Sequence, residues 1–112
     1  MTGTEVYSKA LVSLGYSDSQ VLKNKALIST NQVYDDLYDR TFGEYKPLRV
    51  LSDKIILPER IVLNAMVYGV AEKLALGEGD GELQQYFAKA YDRAKAKITI
   101  VDKVEDVFGG NL

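Results

Sequence analysis

The chain has 112 residues and a formal net charge of −2 at pH 7, which suits one average domain and is too short for two. It contains no Cys, no His and no Trp, but eight Tyr against three Phe. Without Cys, disulfides, thiolate metal sites and cysteine nucleophiles are excluded, and without His the commonest general base near neutral pH is missing. We therefore expect no enzyme, and predict no catalytic residue, metal site, cofactor or small-molecule substrate.

The charge balance and the apolar runs also limit the partners. A net negative chain is not drawn as a whole to nucleic acid or to an anionic membrane. No apolar run reaches the roughly 18–20 residues of a membrane span, and the first residues have no signal-peptide pattern. We expect a protein that is made in a reducing cytoplasm and does not bind a membrane.

Apolar spacing predicts an all-α fold, a bundle of about four helices. The first helix is expected over about 4–14 with Thr4 as its N-cap, because apolar residues recur there at helical spacing. The second is expected over about 17–40, where Ser17 and Gln20 fit a capping box. Charged residues fall largely outside its apolar stripe, which indicates an amphipathic helix.

The third helix is predicted to be the central one. It begins with Pro58 at the first helical position and is apolar nearly all round to about residue 76. Gly69 within it predicts the close approach of a neighbouring helix or of the surroundings of the Tyr68 ring, because glycine is costly in a helix interior. The segment 77–82 has three alternate glycines and predicts a tight turn with an acidic cap, and the fourth helix follows over about 82–98.

Two segments lack helical periodicity but remain apolar. From 41 to 57 the chain is too apolar for a free linker, so we expect a connection folded over the core, with short strands as an open alternative. After residue 98 the pattern fails again. This predicts a helical-bundle domain over 1–98 and a partly flexible, extended C-terminal segment over 99–112.

Two acidic motifs are interpreted as structural. The segment 77–82 lacks the Gly-Lys-Ser/Thr ending of a phosphate-binding loop and the closing Glu of a calcium loop. Asp39 follows Asp35 by four residues and Asp36 by three, which puts two carboxylates on one helix face, but a partner pair on a facing helix would be needed to complete a metal site, and His is absent. A solvated acidic face is the interpretation that we prefer.

The fourth helix carries a basic stripe. Lys89, Arg93 and Lys97 recur every four residues and so share one face. A solvated face is preferred, because the chain is net negative and shows neither a recognition motif nor interleaved aromatic residues for stacking. The alternative function is a small helical DNA-binding regulator that uses this stripe.

The high tyrosine content indicates a surface that binds another protein or a second copy of the chain. Eight of them cannot all be buried in so short a chain, and tyrosine is enriched where proteins meet. Self-assembly or partner binding is therefore favoured over an ordinary half-buried rim. The candidate interface residues are Tyr34, Tyr38, Tyr45, Val101, Val104, Val107 and Phe108.

A set of short motifs between about 14 and 97 resembles a known family. The strongest part is Leu57-Pro58 leading into YGVAEKLA at 68–75. It is accompanied by LGY at 14–16, ISTNQVYDDL at 28–37, PL at 47–48, LSD at 51–53, GD at 79–80 and YFAKAY at 86–91. Together these stretches resemble the small head–tail connector proteins (adaptor or head-completion proteins) of long-tailed bacteriophages and prophages.

The resemblance implies a non-enzymatic virion protein at the head–tail junction, made in the bacterial cytoplasm. It implies a helical subunit that forms a ring under the portal protein, extends the DNA channel and offers a surface to the next connector or tail protein. DNA would pass without sequence recognition, and the subunit could be a monomer in isolation. The segments 41–57 and 99–112 would reach neighbours, and the basic stripe would face the channel or an acidic neighbour.

Overall fold

The computed structural model describes residues 1–38 and 45–98, and within them the fold is all-α. The helices are α1 (Gly3–Leu14), α2 (Gln20–Leu37), α3 (Glu59–Ile61), a π-helical turn (Val62–Met66), α4 (Val67–Gly77) and α5 (Gly81–Ala96). Backbone angles stay right-handed helical through the π turn, so α3, the π turn and α4 form one continuous central helix over 59–77. The predicted four-helix bundle is confirmed.

The first two helices begin at other caps than predicted. Thr2, not Thr4, caps α1: its Oγ1 accepts a hydrogen bond from the backbone N–H of Glu5 at 3.3 Å, and the Glu5 carboxylate accepts one from the Thr2 N–H at 3.2 Å. Only Thr2 has a Glu three residues later that can reciprocate. The prediction of Ser17 for α2 is likewise wrong, because Ser19 is the cap and its Oγ accepts from Leu22 N–H at 3.1 Å.

The central helix packs against α1, α2 and α5, as its apolar sequence predicts. Pro58 is its N-cap rather than its first helical residue, a shift of one position. The expectation for Gly69 is confirmed: a Cβ atom there would lie 2.8 Å from Val33 Cγ1 on α2 and 2.9 Å from Tyr91 Cε1 on α5. Glycine at this position lets both neighbouring helices approach.

The turn before α5 is the tight acidic connection that was predicted. Gly79 takes a left-handed conformation with φ of 72°, and the next residue, Asp80, caps α5 by accepting a hydrogen bond from Leu83 N–H at 3.2 Å. The helix ends at Ala96, two residues before the predicted end, with Lys97 as its C-cap.

The connection before the central helix is folded over the core, as expected. Leu48 and Ile55 are buried, and Asn31 holds Leu48 by a pair of hydrogen bonds, 2.7 Å to its N–H and 2.9 Å to its carbonyl oxygen. In the described part of the segment no strand forms, only one isolated antiparallel bridge between Thr2 and Lys54. The strand alternative is therefore wrong for residues 45–57, while the predicted segment 99–112 lies outside the described residues.

Candidate functional site

A groove runs between the N-terminal half of the central helix and the C-terminal half of α5. Its volume is about 540 Å³. We call it the α5 groove, and its lining residues are Arg60, Ile61, Asn64, Ala65, Tyr68, Tyr86, Ala90, Arg93, Ala94, Lys97 and Ile98. Small and apolar side chains line the floor of the groove, and each of its two edges carries basic and aromatic residues. The groove is therefore a positively charged recess.

The π turn lies in the part of the central helix that lines this groove. Val67 N–H bonds to the carbonyl oxygen of Val62, five residues back, instead of four. Such single π turns occur mostly inside α-helices and often near functional sites. Arg60, Asn64 and Tyr68, spaced by four residues across this turn, line one groove.

The basic stripe predicted on α5 follows the edge of this groove. Arg93 and Lys97 line it, and Lys89 lies with Arg93 around an adjoining shallow depression. All three residues are exposed. Within residues 1–38 and 45–98 none of them forms a salt bridge, whereas the nearby Lys95 is paired with Asp36 at 2.9 Å. The stripe therefore presents three positive charges that the described residues leave unpaired.

Two exposed tyrosines flank the same charges. Tyr86 is 65% exposed and Tyr68 is 36% exposed. Both rings pack on the buried Phe87, with ring centroids 5.0 Å and 6.2 Å away. The expectation that no aromatic residue is interleaved with the stripe is wrong, because Tyr86 lies on the same helix face as Lys89 and Arg93.

One of the tyrosines proposed as interface residues, Tyr34, lies in the interior instead, and the other two pack around it. Tyr34 is completely buried, and its hydroxyl accepts a hydrogen bond from Ile56 N–H at 2.8 Å. Its ring contacts those of Tyr38 and Tyr45 at centroid distances of 6.0 and 5.1 Å, and both of these residues are half-buried. The interface prediction for Tyr34 is therefore wrong. Val101, Val104, Val107 and Phe108 lie outside the described residues.

Other tyrosines are tied to carboxylates across the bundle. Tyr7 donates to Asp18 at 2.6 Å and Tyr91 donates to Asp36 at 2.5 Å. Burial raises the pKa of Tyr91, and the hydrogen bond from Tyr91 is the main cause that lowers the pKa of Asp36. The predicted acidic face is thus only partly solvated, because Asp36 is held by Tyr91 and Lys95. Asp39 lies outside the described residues.

The described residues offer little to other site chemistries. They contain no group of three acidic side chains placed to hold a metal ion, and none of their helices is long and apolar enough to cross a membrane. No protein-family model, curated protein or solved structure matches this chain. The α5 groove and its basic stripe are consequently the candidate site, on the grounds of geometry and charge.

Proposed function

We propose that this chain is a ring-forming head–tail connector subunit of a phage or prophage virion. In this function it docks under the portal, extends the DNA channel and provides the tail attachment surface without catalysing a reaction. The motif resemblance over about 14–97 supports the proposal. The observation that carries it in the molecule is the separation of charge: a chain of net charge −2 gathers Lys89, Arg93 and Lys97, unpaired among the described residues, on one face.

Exposed apolar residues on another part of the bundle support assembly. Large aliphatic side chains on α1 and α2 stay in solvent although the core is already filled by others: Val12 is 83%, Val21 62% and Ile28 64% exposed. Val21 and Ile28 are seven residues apart and so share one face of α2. Apolar side chains on one exposed face are suited to contacts between neighbouring subunits.

Native mass spectrometry and analytical ultracentrifugation of the chain, alone and with portal particles, test the connector function. We expect either a closed ring at high concentration or binding to the portal, since assembly can depend on the partner. Ile28→Glu should weaken this association, whereas Ser52→Glu, at an exposed position of the connection, should not. A chain that stays monomeric and does not bind portal particles refutes the proposal.

A second candidate, a small helical DNA-binding regulator, is favoured by one specific observation. Lys89, Arg93 and Lys97 are exposed on one helix face and form no salt bridge with another described residue, so they can contact the phosphates of a duplex. If the stripe contacts three phosphates of duplex DNA, the logarithm of the association constant should fall with the logarithm of the salt concentration with a slope of about −2.7. A gel-shift series across salt measures this slope, and absence of binding at low salt excludes the regulator.

A further inference from the structure

We propose that the α5 groove is a binding site for single-stranded nucleic acid, with phosphates held by the basic stripe and bases stacked on Tyr68 and Tyr86. This goes beyond the connector function, in which a duplex passes without being recognised. It does not depend on that function, because the groove is complete within one copy of the chain. Three features of the groove lead to the proposal.

The first feature is the arrangement of the charges. Lys89, Arg93 and Lys97 follow one face of α5 at successive turns, and an α-helix rises about 6 Å in four residues. A row of positive charges along a groove is how proteins that bind single strands without sequence preference follow the phosphate backbone. Because none of the three is paired with a described acidic group, a phosphate does not have to displace an internal partner.

The second feature is the pair of tyrosines. Tyr86 on α5 and Tyr68 on the central helix both line the groove, and both rest on Phe87, which is buried. An aromatic ring backed by a buried ring is held in place, so it loses little freedom when a base stacks on it. Every base has a π face, so two such rings bind a strand without reading its sequence.

The third feature is the form of the groove, which favours a single strand over a duplex. Small side chains, Ala65, Ala90 and Ala94, lie between the two edges and leave a recess of about 540 Å³ between the helices. Bases inside a duplex are stacked on each other and cannot also stack on Tyr68 and Tyr86, whereas unpaired bases can. A duplex would meet only the basic edge.

Fluorescence anisotropy with a labelled oligothymidine of about 12 nucleotides tests the proposal on the full chain, starting at about 50 mM salt. We expect binding whose logarithmic salt slope is about −2, the value for three phosphates of a single strand. Tyr86→Ala should weaken binding at least about tenfold with an unchanged slope, and Tyr86→Phe should stay within about twofold. Arg93→Gln should weaken binding and reduce the slope by about 0.7.

Lys9→Gln is the matched control, since it removes one exposed positive charge from α1, away from the groove. It should leave both affinity and slope within error, and circular dichroism should show that all variants are folded. The proposal is overturned if the oligonucleotide does not bind at low salt, or if Tyr86→Ala binds like the unaltered chain. It is also overturned if a duplex binds equally tightly, or if a synthetic acidic peptide of sequence 99–112 binds the groove and the oligonucleotide does not.

Discussion

The inner side of the bundle and the α5 groove use tyrosine in different ways. On the inner side, the hydroxyls of Tyr7 and Tyr91 donate to carboxylates, and that of Tyr34 accepts from a backbone N–H. In the groove, Tyr68 and Tyr86 keep much of their surface in solvent. The difference shows that a high tyrosine content does not identify an interface. A tyrosine contributes to stability where its hydroxyl has a partner inside the fold, whereas Tyr68 and Tyr86 leave part of their surface in solvent beside unpaired charges of the stripe.

The largest expected effect on stability is at Gly69 of α4, which lies against both α2 and α5. Gly69→Leu should lower the free energy of unfolding by about 3 kcal/mol or more, because its side chain would overlap Val33 and Tyr91, which are both buried. Gly81→Ala is the control, since a Cβ atom there meets nothing within 4 Å, and it should be neutral or slightly stabilising. Urea unfolding of both variants measures the difference, and a near-neutral Gly69→Leu would contradict the packing described here.

A pair of conservative substitutions tests the comparison directly. Tyr91→Phe should cost about 1–2 kcal/mol, because it removes a hydrogen bond to the charged Asp36 while Lys95 remains bonded to the same carboxylate. Tyr86→Phe should change stability by less than about 0.5 kcal/mol, since its side chain is largely exposed. Thermal unfolding followed by circular dichroism gives both values. Equal costs for the two variants would remove the distinction between the regions.

Thr30 is an exception on the inner side. It is completely buried on α2, and its hydroxyl has no hydrogen-bond partner among the described residues. Thr30→Val keeps the shape and removes the unsatisfied group, so we expect stabilisation by about 1 kcal/mol. Thr4→Val, at an exposed position of α1, is the control and should gain nothing comparable. A loss of stability in Thr30→Val would mean that the hydroxyl is bonded after all.

The smallest expected effect is on the pH dependence of stability in acid. The pKa of Asp36 lies below its ordinary value of 3.8, mainly because Tyr91 donates to it. The unfolded chain therefore binds more protons than the folded one near pH 4, so stability rises with pH there. The contribution of Asp36 is complete above its unfolded pKa and is lost as the pH falls through the lower folded pKa. Asp36→Asn should flatten this acid limb in melts between about pH 2 and 6, and an unchanged acid limb in this variant would contradict the role given to Asp36.

Much of the fold could be predicted from the sequence because periodicity and turn residues are local signals. The central helix, the turn at 77–82 and the tight packing at Gly69 all follow from neighbouring residues. The caps of α1 and α2 were missed by two residues because two Thr or two Ser lie close together at each of these starts, and in the folded chain Ser19 also contacts the hydroxyl of Tyr7. No residue type marks a π turn, so that feature had no signal.

The candidate site was only half predictable for the same reason. The spacing of Lys89, Arg93 and Lys97 is visible in one helix, and Tyr86 lies three residues before Lys89 and seven before Arg93, so the stripe with its aromatic residue could have been found. Tyr68 joins them only because another helix packs alongside. The prediction for Tyr34 was wrong because its partner is distant in sequence: Ile56, whose N–H donates to the Tyr34 hydroxyl, lies 22 residues later, and no local pattern connects them.

The buried tyrosine hydroxyls also allow unfolding in alkali to be followed by absorbance. Burial raises the pKa of Tyr7, Tyr34 and Tyr91 above the ordinary value of 10.0, so in strong alkali these groups ionise more readily once the chain has unfolded. The folded state then binds more protons, and stability falls as the pH rises above the unfolded value. In a chain without Trp, the near-ultraviolet absorbance of tyrosinate reports this transition without a label.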